Sequence, residues 1–246
     1  MIALLSPAKT LDYESPLPDL AATQPRFADE AATLARAASH LTQKKLQELM
    51  HISPALAKLN ADRFRDFPEA PERPALFAFA GDVYTGLEAK TLPPESLPFA
   101  QDHLRLLSGL YGLLRPLDRM RPYRLEMGTR WAPRRTKLTD WWGDRIAKGL
   151  VDDLAAGGDD TILNLASQEY FAAVAGRLPP TVRVIGVDFR EGERFISFHA
   201  KKARGMMARW MIEHRVTDID AMKGFDSDGY AFDADTSDGA SWTFRR

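Results

Sequence analysis

LRLLSGLYGLLRPLDRMRPYRLEMG, residues Leu104 to Gly128, opens on an apolar run that stops at a serine and a glycine, and that punctuation decides the fold class. Leu104 to Leu107 reads as a buried strand with Ser108-Gly109 as its exit. The same pattern recurs along the chain. Ile2 to Leu5 precedes Ser6-Pro7-Ala8-Lys9-Thr10, and Ala75 to Phe79 precedes Gly81-Asp82-Val83-Tyr84-Thr85-Gly86. Thr161 to Leu165 precedes Ala166-Ser167-Gln168-Glu169-Tyr170, and Phe195 to Phe198 precedes His199. Each predicts a strand whose following loop carries polar residues.

Helical spacing fills the gaps. Pro25 suits a first helical position, with Phe27, Ala31, Leu34, Ala38 and Leu41 following on one face. Ser53 caps a helix starting at Pro54, with Ala55, Leu56 and Leu59 inward. Thr139 caps another in which Trp142, Ile146 and Leu150 stack. Ala203, Met206, Met207, Trp210 and Met211 form an apolar face that reads as core. Strands and helices alternate, so the class is mixed α/β: one domain over residues 1–246, a central mixed sheet, helices around it and a basic cleft. The order of strand pairing is not readable from the sequence.

Composition bounds the function. The chain has 246 residues, 45% apolar and 27% charged, the profile of a globular protein. No proline-rich or glycine/serine-rich linker divides it and no repeat is visible. No apolar run reaches the roughly 18 residues that cross a bilayer, so a cytoplasmic protein without a membrane partner is expected. Cysteine is absent, which removes disulfides, thiolate catalysis and cysteine zinc sites together. The net charge of −1 hides a segregation. Ten Lys/Arg face four acids from Arg115 to Leu150, and six bases face Glu213 alone from Arg194 to Arg215. Seven aspartates face Lys223 from Asp218 to Asp238. Basic segments in a neutral chain predict a positive cleft for nucleic acid or nucleotide.

If the strands run parallel, their loops gather at one sheet edge, where open α/β folds bind ligands. Ser6, Lys9, Asp82, Tyr84, Ser108, Ser167, Glu169, Lys201, Lys202 and Arg204 then converge. Gly109 and Gly112, three apart, allow an anion to approach bare backbone N–H groups, and Arg115, Arg119, Arg121 and Arg124 follow as forked anion ligands. Asp82 with Glu169 would make an acid and base pair if they meet. Known signatures are missing: there is no P-loop glycine pattern around Lys9, no dinucleotide fingerprint and no nucleophile elbow. The five histidines show no metal spacing. Asp226-Ser227-Asp228-Gly229 fails the calcium-loop pattern, because Ala231 stands where glycine is required. No metal and no cofactor are expected.

Several motifs together resemble one family. They are Leu5 to Tyr13 (LSPAKTLDY), Gly81 to Leu87 (GDVYTGL), Leu107 to Asp118 (LSGLYGLLRPLD) and Pro122 to Gly128 (PYRLEMG). Asn164 to Ser167, Tyr170-Phe171 and Lys201 to Gly205 (KKARG) complete the set. The chain is similar in this order, from residue 1 to about 233, to the YaaA family, the UPF0246 group named for peroxide stress resistance. The resemblance implies a single domain of a fold peculiar to that family, and a cytoplasmic protein with a positive cleft and a helix-hairpin-helix-like element. It also implies duplex or branched DNA as partner and a role in limiting peroxide damage to DNA. The hairpin maps onto Ser108 to Gly112, although Pro116 interrupts a second helix leaving directly from Gly112.

Two functions from different classes follow. In the first, a non-catalytic stress protein binds DNA phosphates through Lys9, Gly109, Gly112, Arg115, Arg121, Arg124, Lys201, Lys202 and Arg204, with Tyr111 or Tyr123 stacking on a distorted base. In the second, an enzyme acts on a nucleotide, a modified base or another phosphorylated small molecule, with Asp82 or Glu169 as acid or base and Tyr84 and Ser108 orienting the substrate. An enclosed pocket lined by carboxylates favours the second, and an open groove the first.

Overall fold

Ile2–Leu5 (β1) is buried at all four positions, as a strand must be when neighbours flank it and layers cover both its faces. The computed structural model describes residues 1–246. After β1 come β2 (Thr10–Leu11), α1 (Ala28–Ser39), α2 (Gln43–Met50), α3 (Pro54–Arg65), β3 (Arg73–Pro74), α4 (Ala75–Ala78), β4 (Phe79–Ala80) and α5 (Asp82–Leu87). Next are α6 (Leu97–His103), β5 (Leu104–Ser108), β6 (Gly112–Leu114), β7 (Arg119–Met120), α7 (Leu138–Trp142) and α8 (Arg145–Ala156). The chain closes with β8 (Thr161–Asn164), α9 (Gln168–Phe171), β9 (Arg183–Arg190), α10 (Ser197–Glu213), β10 (Ala231–Asp233) and β11 (Ser241–Arg245).

Seven strands form one sheet in the order β10-β11-β9-β8-β1-β5-β6. The five inner strands are parallel, and only the edge strands β10 and β6 run antiparallel to their neighbours. β1 lies between β5 and β8, with Ala3 opposite both Leu104 and Leu163. The sheet is therefore mixed, and its parallel centre brings the loops after β1 and β8 to one edge. A single cluster of 67 buried apolar residues surrounds it, so one core holds the molecule together. Arg105 breaks the apolar run inside β5, and its charge is matched by Asp153 at 2.7 Å and by the carbonyl of Gln101 at 2.9 Å. No helix is long and apolar enough to cross a membrane.

α5 and α10 cross with their backbones touching. A Cβ on Gly86 would lie 2.0 Å from the Lys202 carbonyl oxygen, and one on Gly205 would lie 1.8 Å from that of Val83. Only glycine fits at either position. This crossing fixes Asp82 on α5 beside Lys201 on α10.

Several local expectations are corrected. Ala75 to Phe79 is not a strand: α4 turns within it and only Phe79 pairs, in β4 with β2. An apolar run buried all round carries no period that tells the two apart. Phe195 to Phe198 is not a buried strand either, since Phe195 and Phe198 are 53% and 54% exposed and α10 starts at Ser197. α1 begins at Ala28 rather than Pro25. Ser53 does cap α3, accepting from the Leu56 N–H at 3.3 Å, but Ala57, Asn60 and Phe64 face inward while Leu56 and Leu59 face out. Trp142, Ile146 and Leu150 are fully buried as one stack, yet Gly143, at φ 52°, splits their helix into α7 and α8.

Candidate functional site

Ser6 leaves β1 and Ser167 leaves the loop after β8, so the sheet order alone sets them side by side. The Ser6 hydroxyl accepts the Ser167 backbone N–H at 2.8 Å, and the two hydroxyl oxygens are 3.3 Å apart. Tyr84 of α5 lies beneath them and donates its hydroxyl to the Ser6 carbonyl at 3.1 Å. Burial pushes the Tyr84 phenol well above its ordinary range, so it is a neutral structural donor.

Around this floor opens a cavity of about 410 Å³ lined by Ser6, Lys9, Asp82, Glu169, Lys201 and Arg204, among others. Glu169 and Lys9 continue into a second cavity of about 510 Å³ with Glu126, Arg130 and His51. Glu169, Lys201 and Arg204 continue the other way into a third of about 720 Å³, past Asp188 and Arg190 to Phe195. Shared walls make the three one groove.

Its charge is mixed rather than uniformly basic. Lys201 Nζ is 3.5 Å from Asp82 Oδ2, and Lys9 Nζ is 3.6 Å from Glu126 Oε1. That oxygen also accepts from Arg124 Nε at 3.0 Å. Glu169 Oε1 accepts the Gly128 N–H at 3.1 Å. Two polar atoms here have no partner although both are buried: Glu126 Oε2 and Arg204 Nε. Burial holds the Arg204 guanidinium below its ordinary range, the nearby Asp188 only partly offsetting it. Ser6 has only Ser167 groups as side-chain hydrogen-bond partners, and no base is placed to activate it as a nucleophile.

The groove thus gathers Ser6, Lys9, Asp82, Ser167, Glu169, Lys201 and Arg204 from the expected set. The rest lie elsewhere. Tyr84 supports the floor from below, and Lys202 lines none of the three cavities. Arg115 pairs with Asp118 at 3.3 Å, and Arg121 pairs with Glu72 at 3.0 Å over the Phe67 ring. Arg124 sits behind Glu126 as its partner.

Ser108 to Gly112 is the largest departure. It is the tight turn of a β-hairpin, β5 to β6, and not a helix-hairpin-helix. All five residues are buried. Gly109 packs against the Leu125 carbonyl, and the Gly109 carbonyl accepts from Trp142 Nε1 at 2.9 Å. The Ser108 hydroxyl accepts the Tyr111 N–H at 2.9 Å and meets the Tyr123 hydroxyl at 2.6 Å. Tyr111 and Tyr123 are 3% and 4% exposed, and burial raises both phenols, Tyr111 to about 12. Neither glycine offers free N–H groups to a phosphate, and neither tyrosine offers a face to a base.

Two features are not apparent from the sequence pattern. α2 and α3 are joined by His51, Ile52 and Ser53, with His51 in the left-handed region at φ 50°, and this helical hairpin faces the groove through Glu48 to His51. Two cap signals, Thr42 and Ser53-Pro54, mark it in the sequence. The second is the exposed pair Phe195 and Phe198, of which Phe195 stands at the groove's far end, a pair which only the lack of a strand partner reveals.

Comparison with known proteins agrees with this chain-long pattern of motifs. The family model described as peroxide stress protein YaaA matches residues 1–236. A curated relative from Rhizorhabdus wittichii, described as a UPF0246 protein, is 60% identical over 249 residues, covering 99% of this chain and 98% of the relative. With the motifs of the groove and of the hairpin core both inside the matched span, the chain belongs to the peroxide stress protein YaaA family.

Proposed function

We propose that this protein serves the peroxide stress response by holding double-stranded or branched DNA along the groove, without reading its sequence. The observation that carries the reading is the set of unpaired cations on the loop that leaves the groove wall at Arg130 and returns to it where the Leu138 N–H meets the Thr129 carbonyl at 3.1 Å. Arg130 lines the groove, and the loop that continues from it exposes Arg134, Arg135 and Lys137; none of the four has an ion-pair partner. Lys9 is 66% exposed over a Glu126 that is 13% exposed, so the cation is outermost.

The α2–α3 hairpin carries the exposed Lys44 and, 3.8 Å from the groove-lining Glu48, Lys45, in place of the glycine turn expected to hold phosphates. Phe195 and Phe198 supply the exposed aromatic faces that Tyr111 and Tyr123 do not, for stacking where a base is unpaired. Interactions of this kind engage the backbone and leave sequence unread.

Binding of labelled duplex and four-way-junction DNA across a salt series tests the reading. Affinity is expected to fall log-linearly with salt, and the Arg134/Arg135/Lys137 triple alanine variant to flatten the slope by about 0.9 for each phosphate that it no longer neutralises. Weak binding with no salt dependence, or a weakening confined to one sequence, would refute it.

A further inference from the structure

The groove floor contains two orphaned groups of opposite sense, and duplex DNA satisfies at most one of them. Arg204 Nε is buried with no acceptor, and no carboxylate lies within 4.0 Å of the guanidinium. Glu126 Oε2 is buried with no donor. Each is a cost to the free protein, since a buried donor or acceptor left unpaired keeps its desolvation penalty. Elsewhere this fold meets such costs: Arg105 in the core has both a carboxylate and carbonyl partners.

The two orphans sit on walls of the same groove, joined through Lys9 and Glu169, which line both adjoining cavities. Around Arg204 the lining offers Lys201 and the Ser6 and Ser167 hydroxyls, with Asp82 held by Lys201 at 3.5 Å and Glu169 further along the wall. Around Glu126 the free acceptors are carboxylate oxygens. A ligand that satisfies both ends carries an anionic group at one end and a hydrogen-bond donor at the other. A cavity of about 410 Å³ opening into one of about 510 Å³ is of small-molecule size.

We propose that the groove floor is a binding site for a small phosphorylated metabolite bearing hydroxyl or amino groups, of the size of a nucleoside monophosphate or a sugar phosphate. Its phosphate seats on Arg204 and Lys201, assisted by the Ser6 and Ser167 hydroxyls. Its donor end seats on Glu126 and Glu169. This site is separate in its demands from the cationic rim, and either stands without the other.

Titration calorimetry of the full chain with adenosine 5′-monophosphate, ribose 5-phosphate and glucosamine 6-phosphate, against adenosine and inorganic phosphate, tests it. At least one of the three phosphorylated compounds is expected to bind saturably and more tightly than either control. Glu126→Gln, which puts an amide at the orphaned acceptor, is expected to weaken that binding about tenfold or more. Arg204→Met is expected to abolish it while holding or raising the melting temperature of the ligand-free protein, because it removes a buried donor that has no partner to lose; a structural arginine would behave in the opposite way. The Arg134/Arg135/Lys137 triple alanine variant is expected to bind the compound unchanged even where it no longer holds DNA. Saturable binding by none of the three, binding indifferent to both Glu126→Gln and Arg204→Met, or a lowered melting temperature in Arg204→Met would each overturn the proposal.

Discussion

Two loops of this protein look alike as sequence and end in opposite conditions. Ser108-Gly109-Leu110-Tyr111-Gly112 and Ala166-Ser167-Gln168-Glu169-Tyr170 each follow a buried parallel strand with a serine and small residues. In the first, the central polar groups are matched inside the protein: Ser108 with Tyr111 and Tyr123, the Gly109 carbonyl with Trp142. In the second, Ser167 and Glu169 open onto a groove that holds unmatched atoms. The difference teaches that polar residues after a strand mark a turn, and that only their state of satisfaction separates core from site.

The largest effect expected from that contrast is at Gly109. A methyl group there meets the Leu125 carbonyl oxygen at 2.0 Å, so Gly109→Ala is expected to cost more than about 3 kcal/mol in chemical denaturation. A mild effect would mean that the hairpin is looser than its packing requires. Next comes Ser108→Ala, which strands the Tyr111 N–H and the Tyr123 hydroxyl, at about 1–3 kcal/mol. Ser167→Ala on the groove is expected to cost under about 1 kcal/mol, its hydroxyl having only a long hydrogen bond with Ser6. Equal costs at the two serines would erase the distinction.

An alkaline titration probes the same contrast without mutation. Tyr84, Tyr111, Tyr123 and Tyr170 all have phenols raised chiefly by burial. Unfolded tyrosine ionises near pH 10, so about one pH unit above that the native protein should show far less phenolate absorbance than the denatured chain. The stabilisation from these neutral phenols is complete below about pH 10 and is lost as pH rises beyond it. Native ionisation at the denatured pH would return Tyr111 and Tyr123 to the set of accessible residues.

The smallest effect is expected at Asp12, in the LSPAKTLDY segment. Hydrogen bonds from Lys90, at 2.5 Å, and from Ser15 hold its carboxyl well below the usual carboxylate range. The pair is near the surface, so Asp12→Asn should cost below about 1 kcal/mol. The sign follows from a depressed carboxylate: the stabilisation is present above its unfolded value of about 3.9 and disappears as pH falls below it. Melting temperatures of the two proteins should therefore differ at neutral pH and converge in acid.

Much of the fold was legible. Ile2 to Leu5, Leu104 to Leu107 and Thr161 to Leu165 read as strands because an apolar run with a polar stop has few other uses, and all three pair in the parallel centre. The meeting of Lys9 and Glu169 followed from parallel strands without knowledge of their order, whereas Asp82, Lys201 and Arg204 reach the same groove through the α5–α10 crossing rather than from strand ends. The failures have one cause. Ala75 to Phe79 and Phe195 to Phe198 are apolar for reasons that period does not encode, one because it is buried on all sides and the other because it is exposed beside a groove.

The sequence by itself determined the class, the three central strands β1, β5 and β8, the family and the absence of thiol chemistry, because these rest on residue type and on spacing along the chain. Tertiary structure alone decided which polar groups meet a partner. The arginines of 115–124 were indistinguishable in sequence from those of 130–135, yet Arg115, Arg121 and Arg124 found carboxylates while Arg130, Arg134 and Arg135 remained free. Pairing depends on distances between groups remote in the chain, such as Glu72 with Arg121, and no local pattern records those distances.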